Sequence, residues 1–265
     1  MPEPLDSLVL GWVKHFASSD QTIDWLHAEL PLEVELAPGI WLAGCIDAVG
    51  RDSSSELFFG EWKTANPREK KTWKQVWRMN PQSLTYGVLC ASRWPDLRRF
   101  TVRKAFKEQY PSYDHAWFRY SDAELNHWRG VIIQIGIDIR NWMERPEPWE
   151  TNFKNCFRYG VNYPCPFFEP ACSKQDWAAV PAGSTSGGDP GWSFTAQRAA
   201  HPGCIVLSAT TISEYLDCRE SYRRKYVELV TPVKGEALVL GGNFHDAMAS
   251  HYNGLILWKV QMEAE

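Results

Sequence analysis

Four things are scarce in this chain, and each scarcity excludes something. Net charge is one: 28 Lys and Arg stand against 32 Asp and Glu, leaving −4. A basic coat that grips nucleic acid over a whole surface is therefore missing, although a local basic patch remains open. Long apolar runs are a second, since no stretch approaches the ~18 residues a membrane-spanning helix requires. Basic character at the start is a third: MPEPLDSLVLGWVKHF has neither the charge nor the apolar core of a secretory signal. The expectation is a soluble, cytoplasmic protein without membrane contact. Cysteines are the fourth, seven in number and odd. A disulfide framework is not expected, and metal ligation is the more informative use for them.

What is present is a packed globular composition. The 265 residues are 44% hydrophobic and include 14 tryptophans, enough for one large domain or a domain with an appendage. Helical spacing predicts a helix over 5–28. Alternation predicts strands over 32–36, 40–49 and 57–64, with turns at Pro38-Gly39 and over 50–55. The basic stretch 68–74 reads as a loop or short helix. Asn80-Pro81, a cap followed by proline, opens a helix to about Cys90. Strands follow over 100–106 and 116–120, then a long amphipathic helix over 122–144. Residues 146–176 have no periodicity. A linker rich in Gly, Ser and Pro covers 181–204. Helices are expected over 210–226 and 242–258. The fold class is α/β. The organisation read from the chain is a core over 1–180, the linker, and a helical segment over 205–265.

The chemistry concentrates on two strands. Asp47 lies in the otherwise apolar Gly44–Val49, and Glu61 follows the apolar Leu57–Phe59. A carboxylate buried in such a setting is costly unless paired or metal bound. Glu61 and Lys63 are i and i+2, so they share a strand face. Asp47 and Glu61 are hard oxygen donors suited to Mg²⁺ or Mn²⁺. On its own, Glu61-x-Lys63 would read as a solvated strand face. Gln82 and Tyr86 are i and i+4, hence on one helix face.

Together, Asp47…Glu61-Trp62-Lys63 and Gln82-x-x-x-Tyr86 resemble the core motifs of the PD-(D/E)XK nuclease superfamily, in its RecB-like branch. Gly241-x-x-x-His245 resembles that branch's leading motif, and 207–218 its opening helix with a cysteine. The resemblance implies a restriction-endonuclease-like core, a mixed central sheet flanked by helices. It implies Asp47, Glu61, the Trp62 carbonyl and His245 as metal ligands, with Lys63, Gln82 and Tyr86 completing the catalytic set. In iron–sulfur members one cysteine precedes the core motifs and three follow. Cys218 with Cys156, Cys165 and Cys172 resembles that set, and four thiolates suit a [4Fe–4S] cluster or, equally, zinc. Arg219 replaces the proline often found after the first cysteine.

The pieces stand in permuted order, because the leading motif and cysteine come last. Circular permutation, with 205–265 folding back in cis, is the preferred reading; completion between chains is the alternative. Arg68, Lys70, Lys71, Lys74 and Arg78 cluster where phosphates would pass, with Trp73 and Trp77 interleaved as stacking surfaces or as core. Arg223, Arg224 and Lys225 would extend that path. The expected activity is metal-dependent hydrolysis of DNA, as an exonuclease serving recombination, repair or phage-type DNA metabolism. The partners are DNA and a separate helicase or recombinase. The alternatives are a non-catalytic DNA-binding module and a metal-stapled interaction protein.

Overall fold

A computed structural model describes residues 4–145, 149–156, 165–168, 172–174, 185–186, 198–231 and 236–264. The architecture is α/β, a mixed open sheet of six strands flanked by helices. The order is α1 (Pro4–Asp20), β1 (Asp24–Ala37), β2 (Ile40–Arg51), β3 (Leu57–Ala65), α2 (Trp73–Arg78), α3 (Pro81–Arg93), β4 (Arg99–Phe106), β5 (Ser112–Arg119) and α4 (Asp122–Met143). Then come β6 (Thr185–Ser186), β7 (Ile205–Leu207), α5 (Ala209–Asp217), α6 (Arg219–Tyr222), β8 (Val230–Thr231) and α7 (Glu236–Ala264). The strands lie in the order β1-β2-β3-β4-β5, and β7 also pairs with β2. β2 and β3 are antiparallel, β3 and β4 parallel, and β4 and β5 antiparallel. The parallel step needs a crossover, which α2 and α3 supply.

The chain forms two compact units. The first comprises Met1–Glu33, Gly44–Trp128 and Gly235–Glu265. Its core joins Leu8, Trp12 and Phe16 of α1 to Trp25, Ala48, Phe58, Trp62 and Ala105 of the sheet and Phe244, Met248 and Tyr252 of α7. Along β3, Phe58 and Trp62 face that core, so alternation turns Phe59, Glu61 and Lys63 to the opposite face. There α3 packs close, because Gly44 carries no side chain. A Cβ at that position would lie 3.0 Å from Leu89 and 3.2 Å from Tyr86. Asn80 caps α3, its side chain accepting the Gln82 N–H at 2.8 Å, with Pro81 at the first helical position.

A buried polar knot fastens α7 to this unit. The Tyr252 hydroxyl accepts from Trp12 Nε1 at 3.2 Å and from Arg103 Nη1 at 2.8 Å, and donates to Asp20 Oδ2 at 3.2 Å. Arg103 also pairs with Asp20 at 2.5 Å. Every member therefore has partners, which is what makes a buried charge pair tolerable.

The second unit comprises Val34–Ala43 and Arg129–Lys234. Ile40, Trp41 and Leu42 pair in parallel with β7, and β6 pairs with β8. Glu220 is fully buried and held by Arg223, Arg224 and the Trp149 N–H. Gly39 turns the chain between β1 and β2 at φ 70, a conformation glycine adopts without steric cost.

Three expectations change. Residues 24–28 are strand, not helix, because Trp25 is drawn into the core of the first unit. The helix expected over 210–226 is broken at Cys218, whose φ of −162 and ψ of 115 are extended. Thr185–Ser186, inside the expected linker, is paired strand; residues 181–184 and 187–197 of that linker lie outside the described residues.

Candidate metal centre and cysteine cluster

The first unit assembles a site where the β2–β3 ladder stops. The paired residues run from Arg51↔Leu57 to Ala48↔Gly60. Two residues past Gly60, the Trp62 N–H donates to Asp47 Oδ2 at 2.6 Å. The strands thus open around two acids, and a carboxylate replaces the next carbonyl acceptor. Glu61 is fully buried. Its Oε1 pairs with Lys63 Nζ and accepts from Gln82 Nε2 at 2.6 Å, while its Oε2 has no hydrogen-bond partner among the described residues. Gln82 Nε2 also reaches the Tyr86 hydroxyl at 3.4 Å. From α7, His245 Nδ1 lies 3.7 Å from Asp47 Oδ2. Residues from three distant stretches therefore meet, and they do so within one chain.

The protonation states follow from this crowding. Burial, then the Asp47 charge, raises Glu61 far above the ordinary carboxylate range, against the pull of Lys63. Burial lowers Lys63, but Glu61 and Asp47 outweigh it and its pKa ends raised. Lys63 is thus a fixed ammonium rather than a base. Burial keeps His245 below its usual value, opposed by Asp47, so its ring is neutral and able to ligate. Burial, with Glu61 and Asp47, holds Tyr86 as a neutral phenol.

Glu29 was not among the residues singled out in the sequence. It sits in β1 at φ 50, with Oε1 buried and unpartnered among the described residues and Oε2 accepting from Cys45 Sγ at 3.3 Å. Burial and Asp47 raise its pKa to about 7. One donor atom each from Glu29, Asp47 and His245 lie within 4.8 Å of one another. Glu29 falls between the helix expected over 5–28 and the strand expected over 32–36, whereas β1 runs unbroken through it. Oxygen donors, a neutral imidazole and two orphaned carboxylate oxygens fit Mg²⁺ or Mn²⁺.

The basic cluster is less free than its sequence implies. Lys70 pairs with Glu108 at 2.6 Å, Lys74 with Asp114 at 3.0 Å and Arg78 with Glu124 at 2.5 Å. Arg68 and Lys71 are exposed. Trp73 and Trp77 are buried and cannot stack on bases; Trp73 Nε1 donates to Asp114 at 3.1 Å. In the second unit Arg223, Arg224 and Lys225 are paired with Glu220, Glu228 and Glu214.

The second unit brings the four singled-out cysteines together. The Cys165 N–H donates to the Cys156 carbonyl at 2.6 Å, and Asn155 Nδ2 donates to the Asp217 carbonyl at 2.9 Å, beside Cys218. Burial, with the neighbouring thiols, raises Cys156 to about 11 and Cys172 to about 12. Among the thiols, Cys172 feels Cys156 most, then Cys218 and Cys165. A zinc tetrathiolate with 2.3 Å bonds holds its sulfurs about 3.8 Å apart. Among the described residues, no three of these sulfurs form a set within 4.8 Å. Cys90 is buried in α3, and Cys45 and Cys204 stand outside this set.

No family model matches this chain, and no curated protein matches it. Among the described residues, no helix is long and apolar enough to cross a membrane.

Proposed function

We propose that this protein is a metal-dependent DNA nuclease with a restriction-endonuclease-like core of the RecB-like type, its motifs circularly permuted and completed in cis. One observation carries the reading: Asp47, Glu61, Lys63, Gln82, Tyr86 and His245, drawn from three stretches, converge in one unit with a fully buried carboxylate oxygen left unpartnered. Burying acids without partners costs several kcal/mol per charge. A site that retains them is shaped for a cation.

Asp47, Glu61 and His245 would hold Mg²⁺ or Mn²⁺, with the Trp62 carbonyl as a further donor. The cation, when bound, polarises the phosphate and acidifies its water. Lys63 orients the attacking water and offsets charge growing on the phosphate oxygens. Gln82 holds Glu61 in place, and Tyr86 presents a neutral hydroxyl to the substrate side. Cys156, Cys165, Cys172 and Cys218 would hold a [4Fe–4S] cluster. The substrate is DNA attacked from an end, delivered by a separate helicase or recombinase. Arg68 and Lys71 are the exposed cations of the expected cluster available to its phosphates.

The test is Mn²⁺-dependent digestion of end-labelled linear DNA by the anaerobically purified chain beside Lys63→Ala. Digestion that falls at least a hundredfold in the variant supports the proposal. Equal digestion by both, or none by a folded, metal-loaded wild type, refutes it.

A further inference from the structure

We infer that Arg93, Trp94 and His27 form a contact for a single strand of DNA and hold that strand a few nucleotides away from the acid site. The contact rests on the nuclease reading for its consequence, and it names the form of DNA taken, which that reading leaves open.

Gln82, Tyr86 and Arg93 lie on one stripe of α3, since spacings of four and seven return to the same helix face. Arg93 stands about 10 Å beyond Tyr86 along the helix axis, a length that about three stacked nucleotides cover. On the sheet side, His27 lies two residues before Glu29 in β1, about 7 Å along a strand. The two elements meet at Trp94, the residue after α3. The Arg93 guanidinium lies over the Trp94 ring, 5.1 Å from a ring centroid, and the His27 ring is 6.0 Å from it. Burial, then the Arg93 charge, lowers the pKa of His27, which agrees with side chains set together.

Charge separates this cluster from the basic stretch 68–78. There Lys70, Lys74 and Arg78 each pair with a carboxylate. Arg93 is exposed, and among the described residues it pairs with no carboxylate. Its fork is therefore open to a phosphate, and stacking on the indole holds it in place before a strand arrives. Trp73 and Trp77 are buried, whereas Trp94 is partly exposed. An arginine on a phosphate sets the attached base beside that indole. An unpaired base can turn out and stack there. A duplex offers its phosphates to the arginine but keeps its base faces from the indole. A cation in the last turn also suits the helix dipole, and that role alone requires no DNA.

The experiment is fluorescence anisotropy of a short labelled oligothymidylate, and of a labelled duplex of equal length, with the full chain in metal-free buffer. Trp94→Ala should weaken single-strand binding about tenfold and leave the duplex unchanged, and Trp94→Phe, which keeps a stacking face, should restore most of the loss. Arg93→Ala should flatten the salt dependence of single-strand binding by about 0.7 in log–log slope, and Arg93→Lys should restore it. Arg93 is exposed, so its variants decide the matter if Trp94→Ala does not fold. Wild-type affinity and slope in Arg93→Ala overturn the inference, as do equal losses on single strand and duplex in Trp94→Ala. Weakened strand binding in the variants, with no cutting by any protein in Mn²⁺, upholds the contact and sinks the nuclease reading. Cutting by the wild type, with unaltered strand binding in the variants, does the reverse.

Discussion

Trp62 divides its groups between two tasks. Its backbone N–H holds Asp47, and its ring stacks on Tyr252 with centroids 4.9 Å apart. The same residue thus links the acid pair to the core that anchors α7. Glu61, one residue earlier, accepts a hydrogen bond from the neutral amide of Gln82. Leaving a buried acceptor without its donor costs ~1–3 kcal/mol. Gln82→Ala should therefore lower metal-free stability by about 1–2 kcal/mol, read as a shift in the urea midpoint, and should lower activity at saturating Mn²⁺. An unchanged midpoint would show that Glu61 is solvated without Gln82. Residues set by short spacing, Glu61 with Lys63 and Gln82 with Tyr86, were legible in the sequence because strand and helix periods fix which side chains share a face. Glu29 was not, since its role depends on where β1 begins. The basic cluster misled for a different reason. Its partners Glu108, Asp114 and Glu124 lie more than thirty residues downstream, and nothing local announces them.

At the scale of an element, α7 carries both anchor and ligand. Phe244, Met248 and Tyr252 fall at i, i+4 and i+8, one stripe buried in the core. His245 stands one position round from that stripe and reaches Asp47. The helix was visible in the sequence over its central turns, and its register on the sheet was not. That register is fixed by the Tyr252 hydroxyl, which engages Trp12, Arg103 and Asp20 at once. Tyr252→Phe keeps the ring and removes the hydroxyl, leaving a buried guanidinium short of an acceptor. The expected cost is about 1–3 kcal/mol by denaturant unfolding. Mn²⁺ affinity should weaken in parallel, because His245 rides on the loosened helix. Full Mn²⁺ affinity in a destabilised Tyr252→Phe would separate the anchor from the site. The break at Cys218 is the reverse case. The apolar spacing over 210–226 continues through it, so periodicity shows a single helix where the backbone turns extended at Cys218.

At the scale of the molecule, the acid site and the thiol cluster belong to different compact units. On the proposed [4Fe–4S] assignment, Cys218→Ser should abolish iron and acid-labile sulfide in the anaerobically purified chain and lower its melting temperature. Mn²⁺ stoichiometry should not change. A variant that keeps its iron would remove Cys218 from the ligand set, and one that loses Mn²⁺ as well would show that the clusters depend on each other. The α/β class was legible from alternating strand and helix periods. The division into units was not, because each draws on separated stretches and no composition boundary marks them.

The path of the chain through the first unit also sets a clock on its own synthesis. Acids made early must wait for a histidine made 184 positions after Glu61, roughly 10–40 s at ribosomal speed. Until α7 emerges, the nascent chain holds acids with neither their imidazole neighbour nor the helix that closes the core. A ribosome-bound or prematurely stopped product would then be unable to cut. On the nuclease reading, the order of the pieces keeps the enzyme harmless to DNA until translation has passed Tyr252.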